Sequence, residues 1–522
     1  MGRSALRHVS VRVPWHDTGW NGSICRDPKA NSSCLALRRT SQNRDDDFEG
    51  AVAGRFINEL DRLPPCMAER GTFLSALPLH FESRLDYSKY SKDHEHVLPQ
   101  TVHVPAWGGV LTPYRWMLRE HAWDISKSMG LDADLDREPK KGQAPDLIVD
   151  TAWVQECDNQ RSLLEGFHSQ LECDESLVFF YARQTPMSDS SARQIVAVAK
   201  LSKTNSVDEY PYEGGKAAGR IRSMIWERPF QHSLRPDKEN PGFWHGGVVL
   251  PYHQLIDAAE AGELDLADYV ASVPEEAYEQ FLYGSEHVTH GSAITSLQAV
   301  RTAIEAASAV LPGPWENYLS WIDEELSRLW VMQGPTPGLG SALSCFDETF
   351  NGTLFAQALA AEIEDGEDPW PLVEAIFLGS RPLPKGAPKP TTMQKKRFEL
   401  LKAKDADRYD LMRLLACFEL SKSQALAAFR TDEPLGMLAN PYLLFERTRL
   451  TDDPVSLTTI DRGLFPSEGA LTKPSLPREP EIDLDEADHP LRLRAISVQS
   501  LELAAAEGHT ILDGNRLALR IA

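Results

Sequence analysis

The sequence lacks several features that would place it in a familiar class at once. No apolar run approaches the roughly 20 residues that a membrane-spanning helix needs, and the N-terminus has no apolar segment of the kind found in secretory signals. Seven cysteines among 522 residues argue against a disulfide framework and favour a cytoplasmic protein. No G-x-x-x-x-G-K-[ST] pattern occurs, so we expect no ATPase activity from this chain alone.

Basic residues are in the minority as well. Asp and Glu number 77 against 54 Lys and Arg, which gives a net charge of −23. Because phosphate binding depends on clustered Lys and Arg, this balance argues against a chain that coats nucleic acid along its whole surface. It leaves room for a local basic groove, and it fits equally well a chain whose acidity serves solubility.

The length and the segment patterns predict a multidomain α+β protein. The segment HVSVRV alternates like a strand, and a helical pattern lies around 49–63. We predict five parts: an irregular Cys-containing N-terminal module at 1–175, a small β-barrel-like domain at 176–260, a helical scaffold at 261–385, a helical-hairpin domain at 386–473 and a winged-helix-like end at 490–522.

The cysteines of the N-terminal module are candidate metal ligands. Cys25 and Cys34 lie in a segment rich in Gly, Pro, Asn and Ser, and Cys66 follows a Pro-Pro turn. With His80 as one choice for the fourth ligand, they would form a zinc site or hold an iron–sulfur cluster. The close C-x2-C pair typical of such sites is missing, and three buried free cysteines are the alternative.

A nuclease site is a second possibility in the same module. Asp146 and Glu156 have a loose PD-(D/E)xK-like spacing, and paired carboxylates of this kind hold a divalent metal ion in metal-dependent nucleases. The lysine expected after Glu156 is missing, because the chain continues Cys157-Asp158. The alternative is that two carboxylates ten positions apart occur by chance in an acidic chain.

The segment 176–260 has the clearest strand signals. The runs SLVFFYARQ and QIVAVAKLSK flank a turn and predict a β-hairpin. This hairpin resembles the one in PUA-like barrels of the EVE and ASCH type, and the resemblance implies an aromatic-lined cleft for a base or nucleotide. The alternative is that these side chains fill a small barrel core. The candidate pocket residues are Tyr181, Arg222, Trp226, Arg228 and His232.

The clearest basic cluster follows a Pro-rich linker, RPLPKGAPKPTT. It consists of Lys395, Lys396 and Arg397, and Lys402 continues it on the same predicted helix. These side chains are candidate phosphate contacts. The alternative is a solvated helix face.

The last hundred residues contain two short anchors, Asn440-Pro441-Tyr442 and Gly508-His509-Thr510. Helical patterns flank the first anchor. A further helix stops at Gly508, and strands are predicted at 510–512 and in LALRIA, with a turn at 513–515. Helix, glycine stop, strand, turn and strand are the order of a winged-helix end.

This stretch resembles the segment ahead of the motor core in RecD-type superfamily 1 DNA helicases. In that family a helical-hairpin bundle with an NPY turn precedes a winged-helix-like unit with a GHT turn, and the family then continues into a Walker A loop. The resemblance makes Tyr442 and His509 candidate nucleic-acid contacts. The matched residues are Asn440, Pro441, Tyr442, Asp461, Arg494, Gly508, His509 and Thr510.

The N-terminal segment WHDTGW…C…C…PPC…ERG is similar to the start of long bacterial proteins that carry a helicase further along the chain. Together the two resemblances imply an accessory, DNA-contacting subunit of a helicase-containing DNA-processing complex, in prokaryotic genome defence, with a superfamily 1 helicase and DNA as partners. The alternatives are a metal-dependent nuclease acting through the N-terminal module and a reader of a modified base or nucleotide acting through the PUA-like domain.

Overall fold

The structure is a computed structural model that divides the chain into two compact units. The N-terminal unit is Leu6–Leu326, and the C-terminal unit consists mainly of Ser327–Ala522. The residues that the structure describes are 6–13, 15, 24, 46–55, 59–62, 73–76, 78–83, 100–137, 154, 156–183, 185–187, 192–211, 222–262, 264–360, 362–363, 367–466, 476–478, 480, 489–506, 508–511 and 513–521.

The strands of the described residues all belong to the N-terminal unit. They are β1 (His8–Arg12), β2 (Leu79–Ser83), β3 (Gln100–Val104), β4 (Gly108–Leu111), β5 (Leu177–Ala182), β6 (Gln194–Thr204), β7 (Glu209–Pro211), β8 (Arg222–Met224), β9 (Arg228–His232), β10 (Arg235–Pro236), β11 (Trp244–His245), β12 (Gly247–Val249) and β13 (Ser285–Val288).

A seven-stranded sheet forms the centre of this unit. Its strand order is β13-β1-β5-β6-β9-β4, and β12 pairs with β6 beside that path. Strands β1 and β5 run parallel, whereas the other pairs are antiparallel. All six residues of β5 are buried, which explains why this run is apolar without alternation. The sheet therefore takes strands from positions 8 to 288, beyond the predicted 176–260 segment.

A pair of buried histidines ties the sheet to the helix that follows β13. His8 Nδ1 accepts a hydrogen bond from the Leu177 N–H at 2.9 Å, so its proton is on Nε2. That nitrogen lies 2.9 Å from Nδ1 of His290, at the start of the helix. The two rings thus satisfy polar groups that burial would otherwise leave unpaired.

The helices that begin in the N-terminal unit are short except for the last two. They are α1 (Asp46–Ala51), α2 (Tyr114–Met117), α3 (Arg119–Met129), α4 (Cys157–His168), α5 (Tyr252–Glu260), α6 (His290–Val310) and α7 (Trp315–Gln333), with 3-10 turns at Leu135–Arg137, Leu266–Tyr269 and Glu275–Phe281.

The described part of the C-terminal unit is helical. Its hydrophobic core includes a group of aromatic rings: the ring of Phe377 stacks on Phe398 at 4.4 Å between centroids, and Phe346, Phe350 and Phe355 lie around them. The helices are α8 (Leu339–Phe346), α9 (Gly352–Ala360), α10 (Trp370–Phe377), α11 (Thr392–Lys404), α12 (Ala406–Ala416), α13 (Lys422–Phe429), α14 (Pro434–Ala439), α15 (Leu443–Thr448), α16 (Leu457–Leu464), α17 (Pro490–Ala506) and α18 (Gly514–Ile521).

The structure confirms the mixed α+β class and the division into a sheet-containing part and a helical part. The predicted hairpin is present as β5 and β6. The first strand, HVSVRV, is present as β1. The glycine stop is also present, because α17 ends at Ala506 and Gly508 has a φ of +87°. No helix among the described residues is both long and apolar enough to cross a bilayer.

Three local predictions are wrong. The strand expected at 510–512 is absent from Thr510 and Ile511, the described residues of that segment. The helix expected around 49–63 ends at Ala51. The strand expected in LALRIA is instead helix α18. The Asp513 side chain accepts a hydrogen bond from the Asn515 N–H at 2.8 Å, and the Leu517 N–H donates to the Asp513 carbonyl at 3.0 Å. Asp513 thus starts a helix rather than a hairpin turn, and the second strand of a winged helix is absent from 514–521.

Candidate functional site

The predicted pocket residues of the sheet lie in the protein interior. Trp226 and Arg228 are 4% and 1% exposed, and Tyr181 and His232 are fully buried. The Tyr181 hydroxyl donates to the carbonyl oxygen of Tyr283, and burial raises the Tyr181 pKa. Arg222 belongs to β8, and its side chain is not among the described ones.

Arg228 is held by a neighbouring loop. Its guanidinium donates to the Ser206 carbonyl at 2.9 Å, to the Asp208 carboxylate at 3.3 Å and to the Asp208 carbonyl at 3.2 Å. Burial lowers its pKa to about 10, while the Asp208 charge opposes that change. The fork geometry of Arg suits such a triple contact, so this side chain fixes the loop at 206–208 to β9.

His232 is surrounded by rings. Its Nδ1 accepts from the Leu234 N–H at 3.2 Å, so its Nε2–H donates to the Phe73 carbonyl at 2.5 Å. Burial lowers its pKa to about 3, which keeps the ring neutral. Phe73 stacks on Phe180 with 3.9 Å between centroids. Protein rings therefore cover the face of Phe180 on which a flipped base would have to stack.

The basic cluster of α11 is divided by its ion pairs. Arg397 pairs with the buried carboxylate of Asp347, and Lys402 lies 2.6 Å from Glu374. Lys395 and Lys396 have no ion pair with any described residue. The sequence thus identified the basic cluster, but Arg397 and Lys402 form ion pairs within the helical unit.

Further exposed lysines extend the unpaired half of the cluster. Lys385 and Lys389 precede α11, and Lys404 ends it; all three are exposed and have no ion pair within the described ranges. Lys396 and Lys404 are eight residues apart, about 12 Å along the helix axis. We call Lys385, Lys389, Lys395, Lys396 and Lys404 the lysine face.

The helix that carries the lysine face is well defined at its N-terminus. The Thr391 side chain accepts from the Gln394 N–H, and the Gln394 side chain accepts from the Thr391 N–H, which is a capping box. Buried Phe398 lies on the side of the helix opposite Lys396. Met393 and Leu400, 61% and 41% exposed, lie beside the lysines. The lysine face therefore combines positive charge with apolar side chains, and these two features can contact the phosphates and the bases of a nucleic acid.

The Asn440-Pro441-Tyr442 anchor is a structural junction. The Asn440 side chain accepts from the Tyr442 N–H at 3.2 Å. The fully buried Tyr442 donates its hydroxyl to Asp461 at 2.6 Å. Arg492 completes the network with Nε and Nη contacts to the same carboxylate at 3.2 and 2.8 Å. The motif therefore joins α15, α16 and α17 in this structure.

The family resemblance drew attention to Asn440, Tyr442 and Asp461, but it did not predict this network and did not include Arg492. The resemblance selected Arg494, which pairs with Glu446 at 3.1 Å on the exposed side. The two arginines can be distinguished by their positions around the helix, because residues 492 and 494 are separated by a rotation of about 200°. His509 is exposed, and its backbone N–H donates to the Ala504 carbonyl at 2.9 Å.

The metal and nuclease predictions fall largely outside the described residues. Cys25, Cys34, Cys66 and Asp146 are not among them, and neither is the side chain of His80. Glu156 is exposed and immediately precedes α4. Within the described ranges, no three His, Cys, Asp or Glu side chains are grouped so as to hold a metal ion.

Comparison with known proteins gives one short similarity. No family model matches the chain, and no solved structure matches it. An uncharacterised protein of Methanocaldococcus jannaschii, MJ1519, is 37% identical to it over 43 residues. Those residues are 8% of this chain and 4% of the archaeal protein, so the chain spans a small fraction of the curated relative it matches.

Proposed function

We propose that this chain is an accessory, DNA-contacting subunit of a helicase-containing DNA-processing complex in prokaryotic genome defence. The observation that carries the proposal is the lysine face, where five lysines without a described carboxylate partner lie on and beside α11 of a chain with net charge −23. Clustered cations are what binding to a phosphate backbone requires.

The resemblance of the last hundred residues to the pre-motor segment of RecD-type helicases supports the choice of partner. In this proposal the buried Tyr442 network gives the helical unit a fixed shape, and the lysine face contacts the strand. The Met393 and Leu400 side chains beside the lysines suit contacts to sugars and bases of a single strand. A superfamily 1 helicase supplies the ATPase activity.

The DNA-binding part of the proposal is tested by salt dependence. Binding of a fluorescent single-stranded oligonucleotide to the full chain is measured at several salt concentrations, for the wild type and for K395A/K396A. Each phosphate contact contributes about 0.7 to the slope of log K against log salt, so losing two contacts lowers the slope by about 1.4.

The matched control removes two exposed lysines of the N-terminal unit, K203A/K238A, and should leave the slope unchanged. Equal slopes for the wild type and K395A/K396A would overturn the assignment of the lysine face.

The helicase part is tested by affinity purification from the native host, with ATPase activity assayed with and without DNA. A stoichiometric helicase with DNA-stimulated ATPase activity supports it, whereas a chain that purifies alone refutes it.

A further inference from the structure

Three arginines converge at one end of the parallel strand pair. Arg12, the last residue of β1, is the register partner of Tyr181 in β5. Arg183 follows Tyr181 by two positions, and Arg193 immediately precedes Gln194, the register partner of Ala182. Because directly paired residues of neighbouring strands share a face, Arg12 and Tyr181 lie on the same face of the sheet, and Arg183 directly follows the end of β5. We call Arg12, Arg183 and Arg193 the arginine cluster.

All three positive charges are within electrostatic range of the Tyr181 hydroxyl. Burial raises the pKa of Tyr181, and the charges of Arg12, Arg193 and Arg183 each oppose that change. The pKa of Arg193 is lowered first by burial and then by the nearby charge of Arg183. Arg183 and Arg193 are therefore close enough to repel each other.

The arginine cluster has little internal compensation. Arg12 and Arg183 make no ion pair with any residue that the structure describes. Arg193 is 8% exposed; its Nε donates to the Phe281 carbonyl at 2.8 Å, and its guanidinium lies 4.2 Å above the Tyr278 ring. These neutral contacts orient Arg193 without cancelling its charge.

A buried carboxyl near Tyr181 does not neutralise the arginine cluster either. Glu286 is within electrostatic range of Tyr181 and is 3% exposed. Burial raises its pKa to about 8, so at neutral pH most molecules hold it protonated. Within the part of the chain that the structure describes, no carboxylate forms an ion pair with these three guanidinium groups, and uncompensated charge costs stability unless an anion from outside is bound.

We propose that Arg12, Arg183 and Arg193 bind the terminal phosphate group of a nucleotide or oligonucleotide. A guanidinium presents parallel N–H donors that match phosphate oxygens. A phosphate monoester carries about −1.5 to −2 charges at neutral pH, which suits a site of three cations better than the single charge of a backbone phosphodiester does. This site is distinct from the lysine face and does not depend on the function proposed above.

No local pattern in the sequence indicates the arginine cluster. Its members are separated by up to 181 positions, and only the parallel pairing of β1 with β5 and the hairpin of β5 with β6 bring them together. A run of basic residues is recognisable in a sequence, whereas a cluster made by strand register is not.

The test compares the full chain with its R12Q/R183Q variant. Two oligonucleotides of one sequence, one with a 5′-phosphate and one with a 5′-hydroxyl, are titrated at fixed salt. We expect the wild type to bind the phosphorylated form at least about tenfold more tightly, since charged hydrogen bonds contribute strongly. R12Q/R183Q should lose that preference while its binding of the 5′-hydroxyl form stays the same.

A second arm uses inorganic pyrophosphate and the thermal midpoint. A ligand that binds the folded state raises this midpoint, so pyrophosphate should stabilise the wild type and the control R55Q/R301Q, but not R12Q/R183Q. The control removes two arginines that have carboxylate partners: Arg55 pairs with Glu59, and Arg301 pairs with Glu305 and Asp323. Stabilisation without any preference for the 5′-phosphate would identify a small phosphate ligand as the source.

Unliganded R12Q/R183Q supplies an independent readout. If the arginines repel one another, this variant melts at the same temperature as the wild type or higher, whereas arginines with a structural role would give a lower midpoint. The proposal is overturned if neither phosphate probe distinguishes the wild type from R12Q/R183Q, or if the unliganded variant melts well below the wild type. R183Q alone repeats the test with a smaller change.

Discussion

Replacing Glu286 by glutamine should remove a pH dependence from the stability of the N-terminal unit. Glu286 lies in β13 opposite Ser10 of β1, is 3% exposed, and its Oε1 has no hydrogen-bond partner among the described residues. Burial raises its pKa from 4.5 to about 8; Arg115 lowers it and Glu279 raises it by smaller amounts. The folded protein therefore holds a proton that the unfolded chain releases above pH 4.5.

The direction of the effect follows from proton linkage. Between pH 4.5 and 8 the folded state binds one proton more than the unfolded state at this position, so stability falls as the pH rises. Each pH unit costs about 1.4 kcal/mol, and the loss reaches about 3 kcal/mol at pH 7. Glutamine resembles the protonated acid and does not titrate. E286Q should therefore match the wild type near pH 4.5 and exceed its stability increasingly above it.

Hydrogen exchange followed by mass spectrometry measures the difference in stability between the wild type and E286Q within the N-terminal unit itself. Peptides that cover His8–Arg12 and Ser285–Val288 report the opening free energy of the strands around Glu286. Taking the difference between the wild type and E286Q at pH 5, 6, 7 and 8 cancels the other titrating groups. The control E275Q changes an exposed glutamate of the same unit whose charge does not act on Glu286, and it should give a flat difference. A flat difference for E286Q as well would refute the reasoning.

Two further predictions concern the C-terminal unit, and urea unfolding checks both. Tyr442→Phe should cost about 1–3 kcal/mol, because it removes the donor to the Asp461 carboxylate; an unchanged unfolding free energy would show that this bond contributes nothing. Gly338→Ala should cost about 1–3 kcal/mol or more, because its new Cβ would lie 1.8 Å from the Phe418 carbonyl oxygen. The same substitution at Gly514, which has open space, should be near neutral, and equal costs at the two positions would contradict the packing argument.

Local periodicity predicted the elements whose pattern is unambiguous. The hairpin of β5 and β6 and helices such as α6 and α7 follow from apolar runs and helical spacing. Their partners could not be predicted in the same way. The sheet joins β1, β4 and β13 to the hairpin from both sides of the chain, and strand pairing over such separations depends on tertiary packing that no local window contains.

The errors occur where one local signal serves two structures. Asp513-Gly514-Asn515 is typical of a hairpin turn, and an aspartate before a helical segment is equally typical of an N-cap. The structure uses the second option, because the Asp513 side chain accepts a hydrogen bond from the Asn515 N–H. Because apolar residues lie on both sides of this segment, the sequence alone could not distinguish a hairpin turn from a helix N-cap.

The two cationic sites show what decides whether a charge can bind a ligand. The run at 395–397 is contiguous in sequence, yet the fold pairs Arg397 with Asp347 across 50 positions, and Lys402 with Glu374. The arginine cluster is dispersed in sequence, yet strand register gathers it, and no described carboxylate forms an ion pair with it. Net charge and basic runs describe neither outcome. What matters is whether folding brings a carboxylate to each cation and whether that carboxylate is ionised, and this is why charge-removing variants at the two sites, with paired cations as controls, are the informative ones.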